Sequence, residues 1–250
     1  MTKNIRYERD GAVAVLTLDK PPHNLLTTDF IEAYCETLEQ SADDGARAIL
    51  VKSDLRHFCA GADVAALSPG AIDAAKILSR LESVPVPTVA ALNGAVLGGG
   101  LELALACDFI VAGASADIGA VEVHIGLAPL LGAVQRLVAL AGPARAREMT
   151  MLGRRYKPSV LESWGLINLV VPDAELHDSA LSLARQLASG PTVAIGGIKR
   201  LVNIALNDGV HAADKEISNA LKDIWSSEDL KRGREAMASS GPGTAVFEGN

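Results

Sequence analysis

Two glutamates and two glycine-containing junctions are the residues of this chain whose types and spacing suggest chemistry. In NGAVLGGGLELALACD, residues 93–108, Glu102 stands in an apolar helical pattern three residues after Gly99. Residues three apart share one helix face, so Glu102 is predicted to point toward whatever the Gly99 N–H holds. Glu122 follows in a similarly apolar stretch. Carboxylates in apolar surroundings are costly unless paired or functional, which favours acid/base work near neutral pH.

The glycines indicate a pair of backbone donors. Gly98, Gly99 and Gly100 join a predicted strand to a predicted helix, where N–H groups lack helical acceptors and favour negative charge. Gly61, in FCAGADVAAL, marks a second such junction and frees the N–H of Ala62. Two N–H groups from separate strand ends could grip one carbonyl oxygen and stabilise an enolate or a tetrahedral oxyanion.

Structural alternatives stand beside each of these interpretations. The glycines could merely allow tight strand–helix packing, Glu102 could be a satisfied buried glutamate, and Glu122 could be an ordinary loop acid. The triplet matches neither a dinucleotide-binding fingerprint nor a P-loop. His124 is predicted to be a lining or surface residue and Cys59 a small packed residue, since no nucleophile pattern accompanies them.

Composition excludes several function classes. The chain has 250 residues, 49% of them hydrophobic but only 4% aromatic, which predicts a core of Ala, Val, Leu and Ile. A net charge of −7 argues against nucleic-acid or anionic-membrane binding. Three cysteines without CxxC spacing give no disulfide or zinc signature and fit a reducing cytosol. Charged residues occur too early in the N-terminal segment for a signal peptide, and prolines interrupt the apolar runs that could otherwise form a membrane helix. The sequence therefore predicts a soluble, cytoplasmic protein.

The predicted elements that position these residues alternate between strands and helices. A hairpin turns at Asp10 and Gly11, and Thr28 is predicted to cap the first long helix. The alternation implies crossover units with mostly parallel pairing, hence an α/β fold. From about Leu130 helices dominate, and 167–171 is the one strand expected there. The helices predicted around and after the core are 71–81, 98–106, 131–141, 144–152, 159–165, 175–189, 191–207, 212–226 and 228–239.

Two regions are predicted: an α/β core over residues 1–190 and a helical region over 191–250. The tail SSGPGTAVFEGN, residues 239–250, is predicted to be irregular and to be available to another subunit.

The quoted segments resemble those of one enzyme family. FCAGADVAAL and PTVAALNGAVLGGGLELALACDFIVAG resemble the two oxyanion segments of the crotonase superfamily, the enoyl-CoA hydratases and isomerases. MLGRRYKPSVLESWGLINLVVP and SSEDLKRGREAM resemble its later elements, so the resemblance covers nearly the whole chain. It implies a crotonase-like spiral of ββα units with a helical C-terminal trimerisation region, assembled as a homotrimer or a dimer of trimers.

The resemblance also implies roles for residues. Ala62 and Gly99 would donate the oxyanion-hole hydrogen bonds, and Glu102 and Glu122 would hold the water that adds to a trans-2-enoyl-CoA. It implies no metal or redox cofactor, a CoA thioester as substrate, and a place in fatty-acid metabolism. CoA would lie over residues 20–24 and 60–65, with Lys52 and Arg56 as further candidates for phosphate contacts. The CoA-contacting residues implied are Ala60, Ala62, Asp63, Val64, Gly99, Lys20 and His23.

Other activities remain open on the same fold. Val121 stands where the family often has proline, and APLLGAVQRL replaces a glycine-rich stretch beside the acyl pocket. Isomerisation, C–C bond cleavage or thioester hydrolysis are therefore alternatives to hydration. The alternative that is not an enzyme is a non-catalytic subunit that binds acyl-CoA.

Overall fold

The computed structural model describes residues 4–66, 70 and 72–250. The strands are β1 (Ile5–Asp10), β2 (Val13–Leu18), β3 (Ala48–Ser53), β4 (Thr88–Leu92), β5 (Ala95–Leu97), β6 (Phe109–Gly113), β7 (Asp117–Gly119), β8 (Arg155–Tyr156) and β9 (Leu169–Val171). The main sheet has six of them in the order β1-β2-β3-β4-β6-β9, and every pairing in it except the β1–β2 hairpin is parallel, as the sequence predicted. A three-stranded sheet, β5-β7-β8, stands beside it.

Helices cover the sheet and make up most of the C-terminal third. They are α1 (Thr28–Asp43), α2 (Ala74–Ser83), α3 (Gly99–Leu105), α4 (Ala133–Leu152), α5 (Pro158–Ser163), α6 (Leu176–Ala188), α7 (Thr192–Asn207), α8 (Val210–Ser226) and α9 (Glu228–Ser239). Short 3₁₀ turns occur at Val64–Ala66, Glu122–Ile125 and Asp173–Glu175. The mixed α/β architecture followed by a helical region confirms the predicted fold class.

Both faces of the main sheet are buried along its central strands, β2, β3, β4 and β6. One face packs against α6, which presents Ala180 and Ala184 to strand residues such as Val15 and Leu50. Alternate strand residues join the larger cluster on the opposite face, together with α1 and α3. Burial on both faces explains why the strands read as continuous runs of Val, Ile, Leu and Ala. The core is mainly aliphatic, as the low aromatic content predicted.

Several predicted boundaries are wrong for local reasons. Thr27, not Thr28, caps α1, because its hydroxyl accepts the Phe30 N–H. The predicted break at 142–143 is a kink at Gly142 inside one helix, α4. Strands β5 and β8 were not predicted, since they have only three and two residues. The helix predicted for 71–81 covers 74–83, and its position 71 lies outside the described residues.

The C-terminal tail is irregular, as predicted, but it lies on its own chain. The guanidinium of Arg47 donates to the carbonyl of Phe247 at 3.0 Å. The buried carboxylate of Asp229 accepts the N–H groups of Glu248 at 2.8 Å and Gly249 at 2.7 Å. These bonds hold the tail between the start of β3 and the start of α9. Within the described ranges, no helix combines the length and apolar character that a membrane span requires.

Candidate active site

The glycine triplet allows α3 to begin directly against a neighbouring strand. Gly98 has φ +51° and ψ −123°, a conformation that favours glycine. A Cβ on Gly100 would lie 2.3 Å from the carbonyl oxygen of Cys59, and one on Gly99 would lie 2.7 Å from Leu26 Cδ1. Packing therefore requires the glycines, and their side-chain-free surface also leaves the first N–H groups of α3 open.

The two glycine junctions lie side by side. A parallel bridge pairs Cys59 with Val96, and the Leu97 N–H donates to the Cys59 carbonyl at 3.0 Å. The chain after Cys59 and the chain after Leu97 therefore end at the same edge. These ends carry Ala62 and Gly99, the two N–H groups that the sequence singled out.

Local hydrogen bonding leaves both N–H groups available. Leu26 bridges the second junction by donating to the Gly61 carbonyl at 2.9 Å and accepting from the Asp63 N–H at 2.8 Å. In such a parallel bridge the N–H of the middle residue, Ala62, is directed away from Leu26. Among the described residues, neither the Ala62 N–H nor the Gly99 N–H has a hydrogen-bond acceptor. Both residues line one cavity of about 180 Å³.

Glu102 enters this cavity from α3. Its side chain is buried, and Oε1 accepts the N–H groups of Leu131 at 2.6 Å and Ala133 at 3.1 Å. Burial raises the pKa of Glu102 to about 7, although the two N–H bonds favour its charged form. Both hydrogen bonds described for the carboxyl group of Glu102 are accepted by Oε1, so Oε2 keeps its lone pairs for the cavity.

Glu122 reaches the same cavity from the 3₁₀ turn that follows β7. Both of its carboxylate oxygens are buried, and neither has a hydrogen-bond partner among the described residues. The carboxyl group packs over the Gly98 Cα, where a Cβ would lie 3.2 Å from Oε1. Burial raises the pKa of Glu122, and its charge also raises the pKa of Glu102. The atypical Val121 thus does not keep Glu122 out of the cavity.

The two other candidate side chains, His124 and Cys59, do not line this cavity. His124 is exposed, and its Nε2 lies 3.0 Å from the Gly153 carbonyl oxygen. Cys59 is fully buried, donates its S–H to the Asn24 carbonyl at 3.0 Å, and has its pKa raised to about 12 by burial. A thiol with that pKa is not a nucleophile at neutral pH. The described residues contain no group of three His, Cys, Asp or Glu placed to hold a metal ion.

The cationic candidates for CoA contacts have different surroundings. The ammonium of Lys20 donates to the Leu25 carbonyl at 2.7 Å and to the Thr27 hydroxyl at 3.2 Å, and Lys52 pairs with Asp54. Both are therefore engaged within the protein. Arg56 instead lines a cleft of about 820 Å³ next to the cavity. His23 also lines this cleft, and Ala60 lines both the cleft and the cavity. Of the other residues implied to contact CoA, Val64 lines the cavity and Asp63 does not.

Sequence reasoning missed the groups that hold the site together. The N–H groups of Leu131 and Ala133 fix Glu102, and no residue type signals a backbone donor. Asn24 is fully buried at φ +52°, and its amide donates to Ser53 Oγ at 2.8 Å and the Phe58 carbonyl at 2.9 Å. It anchors the loop that leads to Leu26, and nothing in the segment KPPHNLL marks it as a buried residue.

The fold and the cavity define a class of enzyme. Two backbone N–H groups at adjacent strand ends, facing two buried carboxyl groups, can stabilise an oxyanion while protons move beside it. Comparison with known proteins identifies the family. Residues 8–243 match the family model described as enoyl-CoA hydratase/isomerase. The chain therefore belongs to the enoyl-CoA hydratase/isomerase family, and it has the crotonase fold.

Individual relatives span nearly the whole chain. Carnitinyl-CoA dehydratase of Salmonella paratyphi A is 34% identical over 95% of this chain and 96% of its own. The crystal structure of enoyl-CoA hydratase from Bacillus anthracis superposes with a TM-score of 0.91, at 28% identity, over 99% of this chain and 100% of that one. Pseudomonas aeruginosa DspI gives a TM-score of 0.88 at 28% identity, covering 96% of both chains.

Proposed function

We propose that the protein is an enoyl-CoA hydratase, a hydro-lyase that adds water across the double bond of a trans-2-enoyl-CoA. The observation that carries this proposal is the meeting of Glu102 and Glu122 in one cavity with the free N–H groups of Ala62 and Gly99. Water addition needs a proton acceptor, a proton donor and a site for the developing enolate oxygen. These four groups supply all three.

The oxyanion site lowers the barrier to attack at C3. The thioester carbonyl accepts hydrogen bonds from Ala62 and Gly99, and these bonds strengthen as negative charge moves onto the oxygen. Each such donor contributes about 3 to 4 kcal/mol in well-studied enzymes. The donors lie on packed strand ends and need no rearrangement during the reaction. This polarisation is supplied by the backbone, so the proposed reaction uses no metal or redox cofactor.

The carboxyl pair moves the protons. Glu102 and Glu122 hold the water, and one accepts its proton as oxygen bonds to C3 while the other supplies a proton to C2. Burial raises the pKa of Glu102 to about 7, so this carboxyl group can take or give a proton near neutral pH, and burial also raises the pKa of Glu122. Solvent exchange then returns both groups to their starting forms. The double bond is lost, and a 3-hydroxyacyl-CoA forms.

The names of two relatives support the proposal that the reaction is of the hydro-lyase type. One relative is a dehydratase and another is called an enoyl-CoA hydratase, and dehydration is hydration run in reverse. Isomerisation is the second candidate, because the unpartnered oxygens of Glu122 could carry a proton between C2 and C4. Carbon–carbon cleavage, thioester hydrolysis and non-catalytic acyl-CoA binding are the further alternatives.

The nucleotide part of CoA is proposed to lie in the neighbouring cleft. Arg56 and His23 line it, and Ala60 connects it to the cavity. Lys20 and Lys52 are not proposed as phosphate ligands, because internal contacts already engage their ammonium groups. Arg56→Ala should therefore raise KM for acyl-CoA more than Lys52→Ala does.

Loss of the enoyl-thioester absorbance tests hydration directly. Purified protein should consume crotonyl-CoA or a longer 2-enoyl-CoA, and dialysis against EDTA should not change the rate. Glu102→Gln and Glu122→Gln should each lower kcat by about 10² or more. Glu36→Gln, an exposed carboxyl on α1, is the matched control and should retain full activity. Absence of hydration across chain lengths from four to ten carbons would contradict the proposal.

A further inference from the structure

Gly132 lies between the two backbone donors that hold Glu102. Its neighbours on either side, Leu131 and Ala133, donate their N–H groups to one carboxylate oxygen at 2.6 and 3.1 Å. At Gly132 itself the chain is left-handed, with φ +87° and ψ 15°. A left-handed residue inside a turn lets successive backbone N–H groups point at one anion. The direction of both hydrogen bonds therefore depends on the conformation of Gly132.

The side chain of Arg136 covers this glycine from one helical turn further on. A Cβ on Gly132 would lie 2.3 Å from Arg136 Nη1, so the guanidinium group packs directly against the glycine. The Gly132 carbonyl accepts the Arg136 backbone N–H at 3.2 Å, and Nη1 approaches the same oxygen at 3.5 Å. The adjacent Leu137 is fully buried and fixes the first turn of α4. Arg136 thus contacts the glycine through both its backbone and its side chain.

Glu82, near the end of α2, fixes the guanidinium group in turn. Its Oε1 accepts Arg136 Nη2 at 2.7 Å, and the Arg136 side chain is only 17% exposed. Its Oε2 accepts the side-chain amide of Asn207 at 2.8 Å, and its backbone carbonyl accepts that of Asn203 at 3.2 Å. Both asparagines belong to α7. Solvent screens a partly buried ion pair less than an exposed one, so this pair holds the guanidinium in place.

Neither member of the ion pair lines the substrate sites. Arg136 and Glu82 are absent from the wall of the cavity that contains Glu102, and also from the wall of the cleft proposed for CoA. They therefore do not contact the thioester or exchange a proton with it. Their connection to the reaction runs through the backbone around Gly132. Changing them should alter how Glu102 is held without altering what the substrate contacts.

We propose that the Arg136–Glu82 ion pair positions Glu102 for the reaction. The pair holds Gly132 in the conformation that directs two backbone N–H groups at the carboxylate. Because Glu82 is also bound by α7, the pair connects the C-terminal helical region to this carboxyl group. Arg136 and Glu82 are positioning residues, since they act through the loop. The inference rests on the proposed function only in treating Glu102 as catalytic, and the hydrogen bonding of Glu102 can be measured without turnover.

The proton affinity of Glu102 provides the first test. The N–H bonds favour its charged form, so weakening them should raise its pKa above about 7. Infrared spectroscopy over a pH series follows the carbonyl stretch of the protonated carboxyl group, assigned by its absence from Glu102→Gln. Arg136→Gln should raise the titration midpoint by about half a pH unit or more, which is about threefold in proton affinity. An unchanged midpoint would overturn the inference.

Arg80→Gln is the matched control. Arg80 also belongs to α2, its side chain is 20% exposed, and it bonds Glu39 of α1 at 2.6 Å and Glu32 of the same helix. Its removal breaks an ion pair of similar burial without touching α4. Glu102 should therefore titrate in Arg80→Gln as it does in the wild type. Equal shifts in Arg80→Gln and Arg136→Gln would overturn the inference, because general loosening of α2 would then explain both.

Glu82→Ala reaches the same loop from the other side of the ion pair. It leaves Arg136 in place but removes the acceptor that fixes the guanidinium group. Because the Glu82 side chain is 30% exposed, this variant should fold even if Arg136→Gln does not. The midpoint of Glu102 should rise as in Arg136→Gln. Absence of a shift in Glu82→Ala would overturn the claim that the pair acts as a unit.

Kinetics separate positioning from substrate binding. Arg136→Gln and Glu82→Ala should each lower kcat for crotonyl-CoA hydration by about tenfold and leave KM unchanged within about twofold. The double variant should lose no more than the single variants, since all three lack one interaction. A raised KM at unchanged kcat, or losses that multiply in the double variant, would overturn the inference.

The two proposals can fail separately. If the infrared shift appears in a protein that hydrates no substrate, the inference stands and the proposed function fails. If the wild type hydrates crotonyl-CoA and both variants keep its kcat and its Glu102 midpoint, the proposed function stands and the inference fails.

Discussion

At the scale of single residues, the burial of Glu102 makes the free energy of unfolding depend on pH. Burial raises its pKa from 4.5 to about 7, so the folded state binds a proton more tightly than the unfolded state does. The stability that this proton binding contributes is present below about pH 4.5 and is lost as pH rises through 7. The corresponding free energy is about 3 kcal/mol at full effect.

Glu102→Gln removes this titration while keeping an oxygen for the Leu131 and Ala133 N–H groups. The variant should therefore gain stability over the wild type by about 1 to 3 kcal/mol as pH rises from 4.5 to 8.5. Urea unfolding of both proteins at pH 4.5 and 8.5 measures the gap. A constant difference at the two pH values would show that Glu102 does not titrate as the structure indicates.

Residue types allowed part of this site to be predicted. That Glu102 faces the same cavity as Gly99 could be predicted because their spacing follows helix geometry, and the burial of the Glu122 carboxyl group because its neighbours are apolar. The donors that fix Glu102 could not be predicted, since Leu131 and Ala133 use only their backbone. The engagement of Lys20 could not be predicted either, because its acceptors come from the turn that caps α1.

At the scale of elements, the start of α3 depends on the absence of a side chain at Gly100. A Cβ there would lie 2.3 Å from the Cys59 carbonyl oxygen, which belongs to the backbone and cannot rotate away. Gly100→Ala should destabilise the protein by about 2 kcal/mol or more, in the range of overpacked cores. It should also displace the Gly99 N–H and abolish turnover.

Gly233 in α9 offers the matched control for a helical glycine. Its added Cβ would meet the Phe247 ring at 3.5 Å, an ordinary contact. Gly233→Ala should therefore leave stability unchanged or raise it by up to about 1 kcal/mol. Thermal unfolding of both variants checks the pair, and equal effects would refute the role of the close approach at Gly100.

Helices and strands could be predicted where burial imposes a regular pattern of apolar or small residues over many positions. The parallel strands β2, β3, β4 and β6 have continuous apolar runs, and α6 repeats small residues along one face. Strand β5 was missed because three residues between turns carry too little periodicity, although it ends next to Gly98, at the start of α3. Its strand geometry comes from pairing with β7, a contact that local sequence does not specify.

At the scale of the whole molecule, α7 presents an apolar row suited to self-assembly. Ile198, Val202 and Leu206 recur every four residues and are 60%, 50% and 54% exposed. The family resemblance implies a homotrimer or a dimer of trimers. We expect light scattering to report about 78 kDa, three chains of 26.0 kDa, or twice that mass. Val202→Glu should shift the mass toward a single chain, and a wild-type mass of one chain would contradict the assembly.

The central claim is that the two carboxyl groups and two N–H groups add water at C3 of an enoyl thioester. Incubation of the protein with trans-2-octenoyl-CoA in ¹⁸O-labelled water, followed by mass spectrometry, measures where oxygen enters. Hydration predicts intact 3-hydroxyoctanoyl-CoA carrying one ¹⁸O on C3. Unlabelled thioester of unchanged mass, or free CoA with the label in a fatty-acid carboxylate, would contradict the claim.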